Sequence, residues 1–184
     1  MIVYFVNKLL AFFAILAQAF ILASVLHIAG AFERSQPVKK FFEFVSRQGL
    51  FLAFLFSLGA SLGSLFYSVF VGFEPCDLCW YQRIFMYPLA IILGIAYFRK
   101  DLKIFHYAIP LAIIGFFISL YQNGIYYKVG GLNAICEFSG IGAACVKRYV
   151  FEFGYITIPI MSLTAFALII VLLVMHRIHL KDNK

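Results

Sequence analysis

Five uncharged apolar runs divide this chain: Leu9–Phe32, Leu50–Phe73, Ile84–Phe98, Ile104–Tyr127 and Phe153–Met175. A hydrocarbon core about 30 Å thick is crossed by about 20 helical residues rising about 1.5 Å each. Four runs reach that length. Ile84–Phe98 has only 15 residues and reaches it only if its helix starts near Trp80, which places Arg83 inside the membrane boundary. No period-two pattern competes, and lipid admits only helices or closed barrels because every backbone group must be paired. At 184 residues, 64% hydrophobic and 12% charged, the chain lacks the polar surface to cover a soluble fold. The reading is an all-α integral membrane protein, one compact bundle with no separate soluble domain.

The charges set its orientation. The formal net charge is +7, but the basic residues cluster between apolar runs and no basic stretch is interleaved with a stacking platform. They read as topology signals and headgroup contacts, not as a nucleic-acid surface. Arg34, Lys39, Lys40 and Arg47 follow the first run. Arg99, Lys100 and Lys103 follow the third, and Arg177, Lys181 and Lys184 end the chain. The opposite side keeps Lys8, Arg83, Lys128, Lys147 and Arg148. The positive-inside rule then puts the N-terminus outside and the C-terminus in the cytoplasm. All four cysteines, Cys76, Cys79, Cys136 and Cys145, fall on the extracytoplasmic side, where disulfides form and persist. Ala29-Gly30-Ala31 resembles a signal-cleavage site, but the run before it is too long for an h-region and only Lys8 precedes it, so a retained helix is expected.

Gln18 and His27 lie in the first run and are expected to bond a neighbouring helix or sit at the interface rather than to be catalytic. Gly59-Ala60-Ser61-Leu62-Gly63 reads as a close helix–helix contact. Pro88, Pro110 and Pro159 each fall inside a run and are expected to kink it. Gly124–Tyr155 is the one long polar loop, and its glycines argue for mobility around Cys136 and Cys145. After Cys145, Val146, Val150 and Phe153 alternate with Lys147, Arg148 and Glu152 as a short surface helix would, or as a solvated loop would.

The chemistry concentrates in Glu74-Pro75-Cys76-Asp77-Leu78-Cys79-Trp80-Tyr81-Gln82-Arg83. Two residues between cysteines suit a redox dithiol, half a metal site or the end of two structural bridges. Pro75 favours a helix start, which would put Cys76 and Cys79 in the first turn, where unpaired N–H groups and the helix dipole favour a thiolate. Arg83, four residues after Cys79 on the same face, could stabilise that thiolate or bond a ligand oxygen that gains charge on reduction. Headgroup contact is the plainer alternative for Arg83. Trp80, Tyr81 and Tyr87 read as interfacial aromatics. Cys136 and Cys145 have eight residues between them in the glycine-rich loop; they could join the first pair in a four-thiolate zinc site, although the spacing is not that of a zinc knuckle, or form a static bridge, although so short a loop adds little to a bundle. Two exchangeable dithiols, one mobile and one fixed at a membrane helix, make an electron relay.

Cys-Asp-Leu-Cys-Trp-Tyr-Gln-Arg at Cys76–Arg83, the four spans around it and a second cysteine pair in the last outer loop resemble the DsbB family, bacterial membrane oxidoreductases that form disulfide bonds. The resemblance covers about Phe41–Arg177. It implies a four-helix transmembrane bundle over residues 50–184; ahead of it the chain itself adds an N-terminal span (1–32) and a basic cytoplasmic linker (33–49). It implies a quinone cofactor, ubiquinone or menaquinone, and a DsbA-like thioredoxin-fold partner outside the cytoplasmic (inner) membrane. Cys136 would be the cysteine attacked by the reduced partner and Cys145 its disulfide mate. Electrons would pass to the Cys76–Cys79 pair, Cys79 would meet the quinone as a thiolate, and Arg83 would hold a quinone oxygen; no metal is implied. Two features depart from the family pattern: the fifth span, which moves the N-terminus across the membrane, and the close spacing of the second pair. A vitamin-K-epoxide-reductase-like relay is one alternative, disfavoured because its quinone-proximal CxxC lies near a late span. A non-enzymatic protein with a structural four-cysteine zinc site is the other.

Overall fold

A computed structural model describes residues 2–28, 36–127 and 149–182. Cys136, Cys145, Lys128, Lys147, Arg148 and the Ala29-Gly30-Ala31 stretch lie outside these residues. The described chain is helical: α1 (Ile2–Ile28), α2 (Gln36–Arg47), α3 (Gly49–Leu65), α4 (Asp77–Arg99), α5 (Phe105–Tyr126) and α6 (Ile158–Asp182). Five of these stretches are long and apolar enough to cross a membrane, among them Gly49–Phe70, in which α3 continues into a π-helical turn at Phe66–Phe70.

Local sequence explains the boundaries that matter. Cys76, after Pro75, is extended (φ −72°, ψ 167°) and caps α4, with Asp77 in the first turn where a negative charge meets the helix dipole. The third span therefore begins at Asp77, earlier than Trp80, and gains the length its apolar run lacks. It ends at Lys100, whose left-handed backbone (φ 54°) closes the helix in the way glycine usually does. Pro88 and Pro110 lie inside α4 and α5. Pro159 does not require a kink: it is the second residue of α6, in the first turn, where its missing N–H has no carbonyl to bond.

Four helices close a ring, α3 on α4, α4 on α5, α5 on α6 and α6 on α3. Leu89 and Leu93 of α4 and Phe166, Ile169, Leu172 and Leu173 of α6 are fully buried at its centre. Glycines set the close approaches. A Cβ on Gly49 would lie 2.7 Å from the Leu172 carbonyl, so α3 starts directly against α6, and one on Gly115 would overlap the Phe166 ring. Outside the ring, α1 packs on α6, and Gln18 Nε2 donates to Thr164 Oγ1 at 3.0 Å, the interhelical bond expected of it. Exposed side chains such as Phe12, Ile91 and Phe117 give the outer face the apolar character lipid demands.

The segment read as a basic linker is helical over Gln36–Arg47. Phe42 and Val45 of α2 are buried, Lys39, Lys40 and Arg47 are exposed, and the helix packs on α6. His176 Nδ1 lies 2.7 Å from the Ser46 carbonyl, and His27 stacks on Phe42 with ring centroids 4.4 Å apart. This end of the bundle thus gathers α2, the end of α4 and the end of α6, with their lysines and arginines, while Cys76 sits at the other. At the cysteine end the surface-helix reading fails over the described part of its segment. Glu152 and Ile156 exchange two backbone hydrogen bonds of 2.9 Å around a tight turn, with Phe153 (φ 50°) and Gly154 (φ 80°) left-handed.

Candidate redox site

Capping geometry brings the first cysteine pair together. Cys76 at the cap and Cys79 in the first turn of α4 place their sulfurs 2.9 Å apart, with Cys76 buried and Cys79 partly so. Backbone N–H groups at a helix start point along the axis toward such a cap and stabilise negative charge there. A side chain from α5 completes the environment. Gln122 Nε2 donates to Cys76 Sγ (3.1 Å) and Cys79 Sγ (3.2 Å), while its Oε1 accepts from Gln82 Nε2. Both amides are buried, and the Gln82 bond fixes the Gln122 amide with its donors toward the sulfurs. Leu78, Ile118 and Ile125 pack around the pair and exclude water from that side.

The other side opens on a cavity of about 390 Å³. Cys76, Cys79, Arg83 and Tyr87 line it from α4, Ser64 and Tyr67 from the α3 end, and Leu168 from α6. Its size lies in the range of small-ligand sites, and its mostly apolar wall with a few polar groups suits a flat, weakly polar molecule. Arg83 Nε donates to Ser64 Oγ at 2.8 Å, and Nη2 donates to the Ser64 carbonyl at 3.2 Å. Its guanidinium lies 5.0 Å from the Trp80 ring centre. The cation is thus held at the cavity wall by neutral partners, which leaves its charge available to an anion. One turn further along α4, the Tyr87 hydroxyl is buried with no hydrogen-bond partner among the described residues. A buried polar atom without a partner is costly, so a hydroxyl left unpaired beside a cavity is a candidate contact for a ligand oxygen.

The structure places Cys76, Cys79 and Arg83 around one space. It also corrects two readings. Tyr87 is a cavity residue, while Trp80 and Tyr81 are exposed as interfacial aromatics are. Gly59 and Gly63 make no close helix contact: a Cβ on either would meet nothing within 4 Å, and both line the cavity. Gln122 was missed, although a glutamine beside an asparagine in an apolar span is the signal that finds such residues.

A family profile described as "Disulfide bond formation protein DsbB" matches residues 46–176, a stretch that contains all four cysteines and Arg83. The chain belongs to the DsbB family. It is 47% identical over 122 residues to the disulfide bond formation protein C of Bacillus subtilis (strain 168), covering 66% of this chain and 87% of that one. A probable disulfide formation protein C 2 of Bacillus anthracis is 42% identical over 133 residues, 72% of this chain and 93% of its own. A probable disulfide formation protein of Chlamydia trachomatis is 43% identical over 126 residues, 68% of this chain and 90% of its own. No solved structure matches. As a DsbB-family member the chain is a multi-pass membrane thiol oxidoreductase that generates disulfides. Helix α1 lies wholly ahead of the matched region.

Proposed function

We propose that this DsbB-family protein is a protein-thiol:quinone oxidoreductase that reoxidises a DsbA-like thioredoxin-fold partner outside the bacterial cytoplasmic membrane. The observation that carries the proposal is the convergence of Cys79, Arg83 and Tyr87 on one apolar cavity, with the Tyr87 hydroxyl buried and unpartnered among the described residues. The residues present fit a quinone: apolar walls for a ring, and a cation and a hydroxyl donor for its oxygens. A bound quinone would supply the two-electron, two-proton sink.

In this scheme the reduced partner's thiolate attacks Cys136 of the Cys136–Cys145 disulfide. The partner leaves oxidised, and a dithiol remains on the loop. That dithiol reduces the Cys76–Cys79 disulfide by the same exchange. Cys76 and Cys79 then close their disulfide again, giving up two electrons and two protons on the cavity side. Gln122 and the start of α4 stabilise the sulfur charge formed on the way. Arg83 and Tyr87 would hold the oxygens of a bound quinone. Support for cysteines outside and a C-terminus inside comes from the position of Cys76 at the end of the bundle away from the basic helix ends. In this reading residues 50–184 form the redox unit, 33–49 its cytoplasmic-side connection and 1–32 an added span.

The chain has one tryptophan, Trp80, and it lies against Arg83. Titration of purified protein with a short-chain quinone should quench its fluorescence saturably, and Tyr87→Phe should weaken the apparent affinity about 5- to 10-fold, the loss of one hydrogen bond. Quenching that never saturates and is the same in Arg83→Ala and Tyr87→Phe would remove the quinone from this cavity.

A further inference from the structure

The ring of four helices is not closed along its whole length. At the basic end α3 and α6 touch through Gly49, where a Cβ would be only 2.7 Å from the Leu172 carbonyl. Toward the cysteine end they part: Gly59 and Gly63 of α3 face open space. On this side α1 lines the cavity. Two polar clasps fix α1 there. Tyr67, on the π-helical turn that extends α3, donates to Asn7 Oδ1 at 2.8 Å. Gln18 donates to Thr164 of α6 and accepts from the Tyr155 hydroxyl at 2.8 Å. Between the clasps, Leu10, Phe13, Ala14 and Ala17 of α1 line the cavity at helical spacing, one stripe of a single face. A helix held only by lipid-facing packing would not need a hydrogen bond to each side of an opening.

We propose that α1 is the lateral wall of the quinone cavity and determines which quinones it accepts, with the apolar tail of the quinone leaving toward the bilayer between Ala14 and Ala17 of α1 and Gly59 and Gly63 of α3. The inference rests on the reading of the cavity as a quinone site and adds a specificity element outside the region shared with the family profile. Small side chains on both sides leave a slot, and an extended polyprenyl chain is the apolar, narrow and flexible part of a membrane quinone that a slot open to lipid would suit. The clasps keep α1 at a set distance from α3, so the slot has a defined width rather than the give of loosely packed helices.

The test compares a tailed quinone with a tail-less analogue in reduction assays of the full-length protein, with a reduced thioredoxin-fold oxidase as electron donor. Ala14→Phe fills the slot from α1. Gly63→Leu fills it from α3, at a position where a Cβ meets nothing within 4 Å. Each should weaken Trp80 quenching by the tailed quinone, and raise its KM, about tenfold relative to the tail-less one, the discrimination expected when a few methylenes must pass a filled apolar site. Phe12→Ala, exposed on the lipid side of α1, should leave both unchanged. If the wild type reduces both quinones and neither filled variant changes their ratio, α1 is not the selecting wall although the cavity reading stands. If the wild type reduces neither, the cavity reading fails and the role of α1 falls with it.

Discussion

Replacing Gln122 with leucine separates two contributions of one side chain. Its Nε2 donates to both sulfurs, at 3.1 and 3.2 Å, and only one sulfur carries charge at a time. A hydrogen bond to a charged group contributes about 1.5–3 kcal/mol and a neutral one about 0.5–1.5, so the charged sulfur loses about 1–1.5 kcal/mol more than the thiol does. That difference corresponds to a rate loss of about 5- to 13-fold, since about 1.4 kcal/mol is a factor of ten. Removing the amide also strands the buried Gln82 donor, at a cost of about 1–3 kcal/mol in folding stability. The double variant Gln82→Leu/Gln122→Leu removes both partners and should recover most of the stability while leaving the rate low. The assay is stopped-flow alkylation of the reduced protein by iodoacetamide at fixed pH, alongside thermal unfolding in detergent. Alkylation within twofold of wild type in Gln122→Leu, or restored in the double variant, would show that the amide only packs beside the sulfurs.

Three further outcomes are expected. Arg83→Ala should reduce turnover with quinone far more than it reduces capture of the thioredoxin-fold partner; equal loss of both would make the arginine a structural tie to Ser64. Cys136→Ala should abolish trapping of the partner as a mixed disulfide while the Trp80 quenching by quinone remains, and trapping that persists through Cys145 would reverse the order of attack. Gly115→Ala, whose Cβ would overlap the Phe166 ring, should lower stability by about 1–3 kcal/mol, whereas Gly63→Ala should leave the unfolding midpoint close to wild type.

Much of the fold was legible because lipid leaves few choices. Apolar runs of sufficient length in a chain with few charges specify membrane helices, and Pro75 before Cys76 marked the start of α4. That start placed the dithiol at a helix cap and Arg83 one turn beyond Cys79. What stayed hidden depends on registers between helices. Gln82 and Gln122 are 40 residues apart, and nothing in either segment says that α4 and α5 bring them together at the sulfurs. Small residues such as Gly59 and Gly63 serve equally to admit a neighbouring helix or to leave a space, and only the cavity beside them decides between the two. Tyr87 looked interfacial because aromatic residues near a span end usually are. The amphipathic spacing of Val38, Phe42 and Val45 was present in the sequence, but the lysines among them drew the segment toward a linker. The turn at Phe153 was hidden for another reason, since a left-handed phenylalanine has no sequence signature.

Electrons from a protein dithiol are proposed to leave this molecule through Cys79 to a quinone. The most direct test is anaerobic mixing of the purified protein with a reduced thioredoxin-fold oxidase and a soluble quinone, following quinol formation and free thiols together. The expected result is one quinol formed for each partner disulfide, abolished by Cys79→Ala. Partner disulfides accumulating without quinol, or no turnover with either ubiquinone- or menaquinone-type analogues while the protein's disulfides are intact, would contradict it.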